Sequence, residues 1–168
     1  MESLVEWFAT NLNGVISKEV IVFIISMIPI LELRGGLIAA SPVLLDIPLL
    51  RAIPICIIGN IIPIPFILLL ITKIFDWMKK FGPLGKIATK LEDKAMSKKD
   101  KIEKYEFWGL VLFVGIPLPG TGAWTGALIA ALLGIRFRKA ILAILVGICM
   151  ATIIVSSIFY GLPDILFG

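Results

Sequence analysis

The apolar residues of this chain fall in long blocks, and two of the blocks are interrupted at corresponding places. Val20 to Leu31 carries no charge, Glu32-Leu33-Arg34-Gly35-Gly36 follows, and Gly35 to Leu45 is uncharged again. Ala52–Thr72, Phe107–Ile135 and Ala140–Pro163 contain no charged residue over 21, 29 and 24 positions. About 20 apolar residues suffice for a helix to span a bilayer, so these blocks predict membrane-embedded helices. The second interruption, Ile116-Pro117-Leu118-Pro119-Gly120-Thr121-Gly122, lies inside the 107–135 block. Two broken segments in matching halves of a membrane chain are the pattern of a transport site.

Shifting the chain against itself by 88 residues aligns the halves without a gap. Ile28-Pro29 then meets Ile116-Pro117, Leu44-Leu45 meets Leu132-Leu133, and Ile47 meets Ile135. Arg51 meets Lys139, Ala52-Ile53 meets Ala140-Ile141, and Gly59 meets Gly147. Proline, glycine and basic matches at one fixed offset indicate an internal repeat. Each unit holds a broken segment (20–45 and 107–135) and a clean span (52–72 and 140–160). The expected organisation is one membrane domain, 1–168: an interfacial segment 1–19, a first repeat 20–72, a connector 73–104 and a second repeat 105–168. Leu4, Trp7, Phe8 and Leu12 recur at helical spacing opposite Glu2, Glu6 and Asn11, predicting a short helix on the bilayer surface; a plain folded turn is the alternative. In the connector, Leu84, Ile87, Leu91 and Ala95 are helically spaced among lysines, predicting an amphipathic surface helix.

Positive charge separates two topologies. If each broken segment crosses the bilayer, there are four spans, and Arg136 to Lys139 faces away from the connector. If each dips in and returns, the ten connector lysines and Arg136, Arg138 and Lys139 share one side, which then holds 13 of the 16 basic residues. Lys18 and Arg51 lie opposite, with Arg34 buried. The positive-inside bias favours re-entrant hairpins with a cytoplasmic connector. Each half of the 29-residue block, cut at its Pro/Gly break, reaches the midplane without crossing. One hairpin and one span per unit make the second unit inverted. The expected fold is therefore an all-α integral membrane protein, an inverted repeat of re-entrant hairpin plus transmembrane helix, with amphipathic surface helices and a cavity between the two tips.

Composition narrows the chemistry. The chain is 59% hydrophobic and 17% charged, with a mean hydropathy of +1.04, well outside the soluble range. No basic region precedes the first apolar residues, so no signal peptide is expected. There is no histidine, which removes histidine-based zinc sites, nucleophile activation and proton relays. Cys56 and Cys149 stand alone in apolar helices and read as small fillers, not a redox pair. No phosphate-binding GxxxxGK[ST] loop is present, so transport would be gradient-driven or downhill. No cofactor, metal or nucleic-acid partner is expected, and with no Ser or Cys beside a base an intramembrane enzyme is not expected either.

A charge at bilayer depth costs about 2.5–3.5 kcal/mol on insertion scales, so Glu32 and Arg34 should face a protein interior and work there. Pro29 and Gly35-Gly36 predict an unwound stretch that points both side chains to one side, into the cavity. Arg34 suits a bidentate carboxylate or phosphate contact. Glu32 is the acidic residue at depth and the candidate proton switch; the alternative is that the two charges pair and pin the tips. At the second tip, Thr121 is positioned to cap a returning helix from Ala123, whose N-terminus presents free N–H groups. A second N-terminus is expected near Gly36, so that the two with Arg34 make a positive focus. The candidate substrate site comprises Glu32, Arg34, Gly35, Gly36, Asn60, Pro119, Gly120, Thr121, Gly122 and Trp124. Trp124 would wall the cavity or pack in the core; Asn60, before Pro63 and Pro65, would serve the site or act as interhelical glue. Gly122, Gly126, Ala130 and Gly134 form a small-residue ridge, for packing within the protomer or, alternatively, a homodimer seam.

Glu-Leu-Arg-Gly-Gly at 32–36 with Ile-Pro-Leu-Pro-Gly-Thr-Gly-Ala-Trp-Thr-Gly at 116–126 resembles the small multidrug export family of prokaryotic membrane proteins, itself similar to the broader DedA (VTT-domain) superfamily. The resemblance covers about Val20 to Tyr160. It implies two facing re-entrant hairpins in the cell membrane and a transport role, with superfamily members moving polyprenyl phosphate or other lipids. The acidic hairpin residue of that pattern maps to Glu32. The basic residue that DedA-type proteins carry with the second hairpin has no counterpart at 116–126, and Arg34 would substitute. The expected function is a small gradient-driven transporter or flippase for an amphiphile with an anionic head, with membrane lipid as its partner. The alternatives are a proton-coupled small multidrug exporter and a non-transporting membrane scaffold.

Overall fold

The computed structural model describes residues 2–12, 14–97, 107–118 and 120–161, which form helices joined by short turns. Helix α1 (Glu2–Leu12) packs on α2 (Lys18–Met27) and α3 (Glu32–Ala40). Its inward face is Val5 and Ala9, while Leu4 and Trp7 are exposed. The expected short helix is present: Val5 and Ala9 meet the bundle, Phe8 and Leu12 pack beside them, and Leu4 and Trp7 are left outward.

The first broken segment is α2 and α3, of 10 and 9 residues, joined by a turn at Ile28–Leu31. Each arm is about 15 Å long at 1.5 Å per residue, half of a hydrocarbon core of about 30 Å. The ammonium of Lys18, at the start of α2, donates to the Leu45 carbonyl beyond α3 at 2.8 Å. The two ends of the segment thus lie together, although 27 residues separate them. The second broken segment has matching arms, α7 (Phe107–Gly115) and α8 (Ala123–Leu132), of 9 and 10 residues.

Two described helices are long and apolar enough to cross a membrane. The first is Leu49–Met78, made of α4 (Leu49–Ile61) and α5 (Pro63–Met78), with Ile62 between them in helical conformation. Pro63 and Pro65 have no N–H, so the carbonyls of Gly59 and Ile61 lose their ladder donors and the helical bonding is interrupted there. The second is Phe137–Gly161: α9 (Phe137–Ser156) ending in a π-helical turn, Ser157–Gly161. The Tyr160 hydroxyl donates to the Ile47 carbonyl at 3.3 Å, which sets the end of α9 beside the start of α4. Between the spans, α5 continues to Met78 and α6 (Gly82–Met96) follows, so the first residues of the expected connector belong to the spanning helix.

Packing repeats at the 88-residue offset. A Cβ built on Gly59 of α4 would lie 2.8 Å from the Phe23 carbonyl oxygen and 2.9 Å from Ser26 Cβ, on α2. One built on Gly147 of α9 would lie 2.9 Å from the Val111 carbonyl oxygen and 2.6 Å from Val114 Cβ, on α7. Residues 23, 26 and 59 plus 88 are 111, 114 and 147. In both units a glycine lets the long helix touch the entering arm, as small residues do between membrane helices.

Candidate functional site

The two turns at the broken segments meet through Glu32 and Arg34, and the geometry begins with an unusual backbone. Glu32 has φ 52°, in the left-handed region, and is the first residue of α3. A left-handed residue costs a non-glycine about 1–2 kcal/mol, so tertiary bonds must hold it. They do. The Ala123 N–H donates to Glu32 Oε2 at 3.0 Å and the Trp124 N–H donates to Oε1 at 3.1 Å. Glu32 is 5% exposed, and its carboxylate caps the N-terminus of α8 from the other segment.

Arg34 does the converse. Its Nη1 donates to the Leu118 carbonyl at 3.0 Å, and its Nη2 lies 3.1 Å from Thr121 Oγ1, 3.3 Å from the Ile116 oxygen and 3.5 Å from the Val114 oxygen. These acceptors sit at the C-terminal end of α7 and in the turn beyond it. An anion thus meets the partial positive charge of one helix start, and a cation meets the partial negative charge of one helix end. Among the described residues, Glu32 and Arg34 form no ion pair with each other; the salt bridge present is Lys79–Glu92, at 2.6 Å. Together they clasp the opposite turn.

Gly122 makes the clasp possible. It precedes α8 with φ 139° and ψ −178°, a region nearly closed to other residues, and a Cβ there would collide with the Glu32 carboxylate. Thr121 does not cap α8, contrary to expectation. Its hydroxyl turns back, 2.9 Å from the Ile116 oxygen and 2.8 Å from the Leu118 oxygen, and accepts from the Leu118 N–H at 3.2 Å. The cap is supplied by Glu32 instead.

The expected unwound stretch at 32–36 is also corrected: Glu32 to Ala40 is helical, and the single left-handed residue, not an extended run, redirects the chain. The expected positive focus is not open, because Glu32 occupies the α8 N-terminus and Arg34 is engaged by carbonyls and Thr121. The first-segment N-terminus lies at Glu32, four residues before Gly36. Gly35 and Gly36 are buried packing positions. A Cβ on Gly35 would lie 2.6 Å from Leu31 Cβ, and one on Gly36 would collide with Ser26 Oγ and lie 2.9 Å from Cys56 Sγ. Gly120 is exposed with φ 74° and shapes the turn; Pro119 lies outside the described residues. Asn60 is buried in α4, and among the described residues its Oδ1 has no partner and it makes no hydrogen bond to either turn. In the small-residue ridge, Gly126 meets Val114 within the chain, whereas Gly134 has left the helix.

Trp124 lines a groove of about 440 Å³ with Met27, Ile62, Phe66, Ile67 and Leu70, running from the clasp along α5. Its indole Nε1 is buried and has no partner among the described residues. The helix start at Ala123 was expected to present N–H groups to an anion, and it does, to Glu32 of this same chain. The carbonyls of Val114, Ile116 and Leu118 were not singled out as site components.

Residues 32–154 match the family described as "Putative small multi-drug export protein". No curated protein and no solved structure matches the chain. The matched stretch contains α3 with both clasp residues, the turn of the second broken segment and most of both spanning helices, well over half of the 168 residues. The chain belongs to this family of membrane export proteins.

Proposed function

We propose that this protein is a gradient-driven exporter of small amphiphiles, in which two re-entrant hairpins enter from opposite sides of the bilayer and meet at the Glu32–Arg34 clasp. The arms are too short to cross, and the Lys18–Leu45 bond holds the ends of the first hairpin on one side. The end of α9 lies beside the start of α4, so the two units run in opposite directions through the membrane. With the connector and Arg136 to Lys139 on the lysine-rich side, that side is the cytoplasmic face of a prokaryotic cell membrane.

The observation that carries the reading is the reciprocal clasp. Protonated, the Glu32 carboxyl loses its charge and one acceptor, and cannot cap both N–H groups of α8. The freed turn parts from Glu32, and the way opens beside Trp124 into the apolar groove. The substrate is an amphiphile whose apolar body fits that groove. An anionic lipid head would first have to release Arg34 from its carbonyl acceptors, so export of amphiphiles fits this geometry better than flipping of a lipid-linked phosphate. Engagement of both charges by the opposite turn also favours a second reading, a closed scaffold that moves nothing.

Proteoliposomes carrying a fluorescent amphiphile test both readings. Flux driven by a pH gradient should occur with the wild type, collapse with an uncoupler, and be lost in Glu32→Gln, which keeps shape and one acceptor but cannot titrate. Wild-type flux in Glu32→Gln removes Glu32 from coupling. No flux of any amphiphile by the folded wild type supports the scaffold.

A further inference from the structure

We infer that the corner between α5 and α6 binds an anionic phospholipid, independently of the clasp. Helix α6 has three faces. Gly85 and Ala88 are buried against the protein. Leu84, Ile87 and Leu91 form an exposed stripe, 39%, 51% and 44% accessible. Lys86, Lys90 and Lys94, at steps of four, form a row next to that stripe. No salt bridge engages these lysines among the described residues, whereas Lys79 at the end of α5 is tied to Glu92. The hydrogen bond to the Glu92 carboxylate raises the Lys79 pKa, so that pair is neutralised in place and the lysines of the row carry the positive charge.

Between the helices lies a cleft of about 570 Å³ lined by Lys79, Gly85, Lys86, Thr89, Lys90 and Asp93. A side chain at 85 would crowd it, since a Cβ there would lie 3.2 Å from Lys79 Cα and carbonyl oxygen. Trp77 and Phe81, exposed and with ring centroids 4.9 Å apart, mark the level where α5 leaves the hydrocarbon. The occupant must offer negative charge to the lysines and apolar chain to the leucine stripe beside them. A soluble anion meets the first need alone and a zwitterionic lipid the second. An anionic phospholipid from the surrounding bilayer meets both, with its phosphate on Lys86 and Lys90 and an acyl chain along Leu84, Ile87 and Leu91.

Native mass spectrometry of the full-length protein, delipidated in detergent and given equal phosphatidylglycerol and phosphatidylcholine, tests this. The wild type should retain phosphatidylglycerol preferentially, and Lys86→Gln/Lys90→Gln should lower that preference by about five-fold for each lysine removed. Arg51→Gln, on a distant exposed residue, should keep it. Leu84→Ser/Ile87→Ser should weaken retention of the lipid, and glycerophosphoglycerol, the bare headgroup, should bind weakly. Equal retention of both lipids by the wild type, or an unchanged preference in the folded double lysine variant, overturns the proposal. Equal binding of the bare headgroup assigns the cleft to soluble phosphate esters and overturns it too. None of these readings depends on transport.

Discussion

Replacing Gly122 with alanine should damage the clasp in a calculable way. Two costs add. The φ of 139° with ψ near 180° belongs to a region essentially reserved for glycine, worth about 1–3 kcal/mol for a side-chain-bearing residue. The new Cβ also displaces the Glu32 carboxylate, and losing one charge-assisted hydrogen bond from the α8 N-terminus costs about 1.5–3 kcal/mol. The total is about 2.5–6 kcal/mol. Gly134→Ala provides the contrast, because φ there is 67° but nothing lies within 4 Å of the built Cβ, leaving about 1–2 kcal/mol of backbone strain. Unfolding in detergent, followed by intrinsic fluorescence, should rank the variants wild type, Gly134→Ala, Gly122→Ala. The decisive comparison is a double-mutant cycle with Glu32→Ala. Once the carboxylate is gone, Gly122→Ala has only strain left to add, so the double variant should be less destabilised than the sum of the two single ones by about 1.5–3 kcal/mol. Additive effects would refute the argument that Gly122 acts through Glu32.

Arg34→Lys should destabilise the protein and leave it closer to Arg34→Gln than to wild type in thermal unfolding, because one ammonium cannot reach both the Leu118 carbonyl and the Ile116–Thr121 pair. Trp124→Phe removes a buried N–H that has no partner among the described residues, so thermal stability should be unchanged or higher; a clear loss would mean the indole is satisfied in the membrane. In a Cys149→Ala background, single cysteines at Lys86 and Arg136 should react with an impermeant reagent from one side and one at Val43 from the other. Labelling of 86 and 136 from opposite sides would remove the re-entrant hairpins.

The broken segments, the 88-residue offset and the two charges were readable because apolar blocks leave few reasons for Pro, Gly, Glu or Arg at such depth. The partners of those charges were readable only in part. The helix start at Ala123 was legible as an anion site, but not that Glu32 itself fills it; Arg34 binds carbonyls at 114, 116 and 118, atoms that every residue carries and no side chain announces. Thr121 looked like a local cap because Ser and Thr usually are; the Glu32 carboxylate, 91 residues before Ala123, took the position and left the hydroxyl to its own turn. The left-handed Glu32 was equally hidden, since its strain is held only by bonds formed in the folded state. In α1 the periodicity announced the helix and its large apolar residues, whereas the contact that Val5 and Ala9 make with the bundle was not read from it.

The central claim is that the clasp opens when Glu32 takes up a proton, and a distance across it is the direct test. Ile30 and Leu118 are exposed, 68% and 54% accessible, and lie on the two turns. Spin labels at these positions, in a Cys149→Ala background reconstituted in lipid nanodiscs, report the separation of the turns by pulsed electron paramagnetic resonance. At high pH the account predicts one short distance; lowering the pH should populate a longer one, and Glu32→Gln should populate it at every pH. A single distance, the same at all pH values in both proteins, would contradict it and leave the clasp as a fixed joint.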